Sequence, residues 1–140
     1  MNAKYFIDTN IIIYSFDHGE PGKQKKAIHI LDEALNGQKG CISYQVVQEF
    51  LNVALKKFAV PLTWQDCRDF LHMALEPLCE IHSSIQLYHQ ALDISERWRY
   101  SFYDALIISA ALQSSCKILY SEDLQHDQNI HDIRIINPFL

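Results

Sequence analysis

The strongest constraint in this sequence is the alternation of short apolar runs with stretches of helical periodicity. KYFID (4–8), KGCIS (39–43), LCEIH (78–82), CKILYS (116–121) and IRIIN (133–137) are strand-like runs without a polar face. Strands of that kind belong to a parallel sheet covered on both sides rather than to a half-solvated antiparallel one. Between them, residues 22–36 place Ala27, Ile28, Leu31 and Leu35 at helical spacing, with Gly37 as a stop. YQVVQEFLNVALKKF carries a continuous apolar stripe at positions 46, 47, 50, 51, 54, 55 and 58. Residues 63–75 form a further helix that Pro77 ends, and 85–98 and 103–115 form two more. The expected architecture is a three-layer α/β/α sandwich around a central parallel sheet of about five strands. With 140 residues and no linker, repeat or low-complexity tract, the chain reads as a single domain, 1–140.

Composition narrows the function classes. No apolar run approaches the roughly 18 residues needed to span a bilayer, and Asp8 and Asn10 interrupt the only candidate for a signal-peptide core. The sequence therefore reads as having no membrane association. Cys41, Cys67, Cys79 and Cys116 contain no C-x-x-C pair and read as buried, reduced thiols of a cytoplasmic protein. The seven histidines show no zinc spacing. A net charge of −5 argues against a protein that grips nucleic acid by sheer positive charge. Clustered acids that bind divalent cations would offset that sign locally.

In open parallel sheets, ligands bind beyond the carboxyl ends of the strands where strand order reverses. Asp8 ends the first strand there, although Asp, Thr and Asn at 8–10 equally suit a helix start. Asp104 opens a helix that is apolar nearly all round, and Ser101 three residues earlier gives it a capping alternative. Asp123 follows the strand KILY within S-E-D, beside Glu122. In an extended segment those two acids point to opposite sides. Glu49 lies off the centre of its helix's apolar stripe, so it has no core role; a solvated surface acid is its plain alternative. Thr9 and Ser121 are short hydroxyls able to orient a carboxylate. Acids converging at one sheet edge repel unless cations sit between them, and hard oxygen donors favour Mg²⁺ or Mn²⁺.

FIDTNIIIY, VVQEF, FYDALIISAA and LYSEDLQH resemble, in order, the four acidic motifs of PIN-domain ribonucleases, and the closing IINPF is similar to the end of VapC-type toxins. The resemblance implies that Asp8, Glu49, Asp104 and Asp123 hold Mg²⁺ or Mn²⁺ in an endoribonuclease site, supported by Thr9, Asn10 and Ser121. It further implies a homodimer, an RNA substrate and a cognate VapB-like antitoxin entering the acidic groove. The chain departs from its relatives at Asp127, where many carry Gly.

Other readings fare worse. A dinucleotide binder needs a Gly-rich turn after the first strand, and DTNIII has none. No P-loop motif is present. A haloacid-dehalogenase phosphatase would carry a second Asp where Asn10 stands. The rival of a different class is a PIN-like scaffold that binds RNA or protein without cutting. Candidate phosphate contacts are Lys56, Arg97 and Arg99, with Lys23, Lys25, Lys26 and Lys57 as further basic positions. Trp98 suits either base stacking or the core.

Overall fold

A computed structural model describes residues 3–37 and 39–140, and in it the apolar runs build one sheet. In chain order the elements are β1 (Tyr5–Ile7), α1 (Thr9–Tyr14), α2 (Pro21–Gly37), β2 (Gly40–Ser43), α3 (Tyr44–Lys56), α4 (Trp64–Phe70), α5 (Glu76–Leu78), β3 (Cys79–Ile81), α6 (Ile85–Trp98), α7 (Phe102–Gln113), β4 (Ile118–Tyr120), β5 (Asn129–Ile130) and β6 (Ile133–Ile136). The strand order is β3-β2-β1-β4-β6-β5. All neighbours pair in parallel except β5, which lies antiparallel on β6. Helices flank the sheet, giving the α/β/α sandwich that the alternation implies.

Three details depart from expectation. The sheet has six strands rather than about five. The extra one, Asn129–Ile130, is too short to carry a strand periodicity and exists because His131, at φ 52°, turns the chain straight back into β6. Pro77 does not end its helical segment, which continues to Leu78. A π turn over Leu71–Leu75 precedes it, with the Glu76 N–H reaching back to the Leu71 carbonyl. Gly37 is the last residue of α2 rather than the stop beyond it.

The core sits on both faces of β1. Phe6, Ile7, Ile11, Ile12, Phe50, Ile108, Leu119, Ile133 and Ile135 are fully buried, and α7 is buried from Ala105 to Ala111, as its all-round apolarity requires. Gly40 is needed for close approach: a Cβ there would lie 2.4 Å from the Ala34 Cβ of α2. Cys41, Cys67 and Cys116 are buried, whereas Cys79 is only partly so, correcting the reading of all four as buried. Among the described residues no helix is long and apolar enough to cross a membrane.

This topology places the switch point. From β1 the chain builds outward through β2 and β3, then returns to the other side of β1 as β4. The carboxyl ends of β1 and β4 therefore flank the crevice where such sheets bind ligands. Asp8 follows β1 directly, and Ser121 follows β4.

Candidate active site

Asp8 is an N-cap and more than an N-cap. Its backbone is extended, and its Oδ1 accepts the Thr9 N–H at 2.7 Å, opening α1. That uses one oxygen. The other, Oδ2, accepts the Ser121 hydroxyl at 2.7 Å across the β1–β4 junction. The residue is only 7% exposed. Burial pushes its carboxyl up to about 7; the Ser121 and Thr9 hydrogen bonds pull it back, and the charges of Glu49 and Asp123 raise it further.

Two neighbours of Asp8 on α1 reach the next two acids. The Thr9 hydroxyl donates to Glu49 Oε1 at 2.6 Å. The Asn10 amide donates to Asp123 Oδ2 at 2.9 Å. Glu49 is thus half-buried against α1 rather than an ordinary solvated acid, because the flank of α3 that carries it meets α1. Asp104 stands on the first turn of α7. Its backbone N–H donates to the Ser101 hydroxyl at 3.2 Å, so Ser101 is the cap, while its own carboxylate has no hydrogen bond among the described residues.

The arrangement draws acids to one edge without closing them into a cage. Glu49 and Asp123 lie near enough to Asp8 for their charges to act on its carboxyl, yet no three His, Cys, Asp or Glu side chains among the described residues form a ready-made metal cluster. No Lys, Arg or His among the described residues pairs with any of the four acids. A buried carboxylate pressed by two acids and answered by no base is a donor set that suits a divalent cation, and all its donors are hard oxygens.

Residues 5–129 match the profile of the PIN domain. The chain belongs to the PIN-domain family. Its fold is similar to a toxin–antitoxin complex from Klebsiella pneumoniae, at TM-score 0.67 and 19% identity, covering 96% of this chain and 98% of that one. It is also similar to VapBC2 from Rickettsia felis bound to a DNA fragment from its promoter, at TM-score 0.65 and 19% identity, covering 94% and 96%. The Mycobacterium tuberculosis toxin VapC20, which cleaves the sarcin–ricin loop, aligns at TM-score 0.56 and 18% identity over 86% and 90%. At these identities the likeness is one of fold. No curated protein matches the chain.

This PIN domain distributes its bases unevenly. Arg97 and Arg99 are exposed where α6 turns toward Ser101 and Asp104; Arg99 closes the helix in the left-handed conformation, φ 64°. Lys56 lies on the last turn of α3, about 10 Å along the helix axis beyond Glu49, so the fold does not bring it to the acids. Trp98 packs against the core, with the Arg97 guanidinium 5.2 Å from its ring. Sequence reasoning does not single out Gln45, whose amide donates to Glu49 Oε2 at 3.2 Å and to the Tyr103 carbonyl at 3.1 Å, joining α3 to the start of α7. Its one legible signal is the i, i+4 spacing to Glu49.

Proposed function

We propose that this PIN domain is a divalent-metal-dependent endoribonuclease and the toxin of a toxin–antitoxin pair. PIN-domain proteins are nucleases as a family. The observation that carries the reading is the set of Asp8, Glu49 and Asp123, each oriented by a separate hydrogen bond at the switch point and none neutralised by a base.

Asp8, Glu49, Asp104 and Asp123 would hold Mg²⁺ or Mn²⁺, with Asp123 rather than Glu122 as the fourth ligand. A bound ion of that kind supplies Lewis acidity toward a phosphodiester and makes water a nucleophile near neutral pH. The chain's own part is orientation: Ser121 fixes Asp8, Thr9 fixes Glu49 and Asn10 fixes Asp123. Arg97 and Arg99, both exposed, would hold RNA phosphates, and Lys56 would serve only a substrate that runs along α3.

The toxin reading draws on the neighbours, which include toxin–antitoxin complexes and a toxin that cleaves the sarcin–ricin loop. A VapB-like antitoxin would neutralise the acids with an inserted Arg or Lys. Exposed Tyr44, Ile85, Phe102 and Tyr103, at the starts of α3, α6 and α7, support a homodimer. The reduced thiols suit action in the cytoplasm.

The alternative, a PIN scaffold that binds without cutting, has one observation on its side: the acids do not form a closed cluster. Incubating the protein with labelled single-stranded RNA separates the two. Cleavage that EDTA abolishes and Mn²⁺ restores supports the nuclease; retention of RNA without cleavage in Mn²⁺ supports the scaffold.

A further inference from the structure

Glu122 is adjacent to Asp123 but belongs to a different set of contacts. Its Oε1 accepts the Tyr14 hydroxyl at 2.6 Å, and its Oε2 accepts the Lys23 ammonium at 2.5 Å. Lys23 Nζ also lies 3.3 Å from the Tyr14 hydroxyl and 4.7 Å from that ring's centroid. Phe139, from the closing NPF segment, meets Tyr14 edge-on at 5.0 Å and lies 5.6 Å from the same ammonium. Four pieces of chain thus converge: α1, the start of α2, the turn after β4 and the C-terminal segment.

The same turn is tied to α1 a second time. The Glu122 N–H donates to Asn10 Oδ1 at 3.3 Å, and the Asn10 amide donates to Asp123 Oδ2 at 2.9 Å. Asn10 and Tyr14 are one helical turn apart, so both fastenings use one face of α1. Ser121 completes the turn by accepting the amides of Asp123 and Leu124 at 3.2 and 3.3 Å.

We propose that Tyr14, Lys23 and Glu122 form a positioning clamp that fixes the turn after β4 so that Asp123, and not Glu122, faces the acid cluster. The physical need is specific. An unpaired Glu122 would be a fifth acid beside the cluster, repelling its neighbours and competing for the same cation. Held between a hydroxyl and an ammonium it is neutralised and turned away, and charge-assisted bonds of this kind hold better than neutral ones. The part concerning Asp123 rests on the metal-site reading above; the fastening of the turn does not.

The experiment uses the whole chain and the variants Glu122→Gln, Tyr14→Phe and Lys23→Met, with Lys23→Glu/Glu122→Lys as the exchanged pair. Hydrogen exchange at the Asp123 and Leu124 amides reads the turn, and Mn²⁺ titration followed by electron paramagnetic resonance, without RNA, reads the site. Glu122→Gln and Lys23→Met should exchange faster at those amides and bind Mn²⁺ about tenfold more weakly, in the range found for residues that orient ligands. Tyr14→Phe, which keeps the ring, should show a smaller change, and the exchanged pair should recover most of the loss. Wild-type exchange and wild-type Mn²⁺ affinity in Glu122→Gln would overturn the clamp; if Asp123→Ala loses Mn²⁺ in the same series, the metal reading survives that failure. Accelerated exchange in variants of a protein that binds no Mn²⁺ at all would sustain the clamp on the turn and sink the metal reading.

Discussion

Ser121 and Asp8, 113 positions apart in the sequence, are joined by a 2.7 Å hydroxyl–carboxylate hydrogen bond between the ends of neighbouring strands. The Ser121 oxygen also accepts the backbone of the turn that carries Asp123. One atom therefore couples the orientation of two candidate ligands. Ser121→Ala should lower RNA cleavage by about 10- to 100-fold while costing about 1–2 kcal/mol of stability from the lost buried hydrogen bonds. Cleavage rates and urea midpoints measured on the same sample check both figures.

Asp8 makes a prediction about pH. Its carboxyl is raised from an ordinary 3.8 to about 7, so between those values the folded chain binds more protons than the unfolded one. The stability this provides is complete below the unfolded value and is lost as pH rises through about 7. In chelator, urea stability should fall by an amount on the order of 3 kcal/mol from pH 4 to pH 8 through this group. Asp8→Asn keeps a good cap and should flatten that slope, making the variant the more stable protein at pH 8.

Asp104 isolates activity from stability. Its carboxylate bonds to nothing among the described residues, and the cap of α7 is built from its backbone N–H and Ser101. Asp104→Asn should leave the melting temperature nearly unchanged and reduce cleavage by at least about 10²-fold, the upper range even for residues one step removed from a ligand. Differential scanning calorimetry beside a cleavage assay tests the separation.

Asp127 should prove neutral. Its backbone takes φ 67°, the left-handed region that Gly adopts without strain. Arg134 donates to its Oδ1 through Nε at 2.9 Å and Nη2 at 2.5 Å, and this holds the carboxyl below the usual range. The extra charge is thus answered on the β5–β6 hairpin. Asp127→Gly should change cleavage less than about twofold and the melting temperature by no more than about 3 °C.

The sandwich was legible because its signals are collective: several apolar runs without a polar face, and helices long enough to show a stripe. The two-residue β5 and the helical turn past Pro77 carry no such period, and both depend on local geometry at His131 and over Leu71–Leu75. At the site, the residues that end strands or open helices could be named from the chain alone. What joins them could not. Thr9 and Glu49 are 40 positions apart, and nothing in either neighbourhood announces their hydrogen bond. The same holds for Lys23, which reads as one of several surface lysines until Glu122, 99 positions away, takes its charge.

Saturable Mn²⁺ binding in the absence of RNA is the most direct test that the four acids act as one unit. Titration followed by electron paramagnetic resonance should show stoichiometric binding to the wild-type chain, lost in Asp8→Asn and in Asp104→Asn although both variants remain folded. Wild-type affinity retained in those two variants, or no saturable binding to the wild-type chain, would contradict the account.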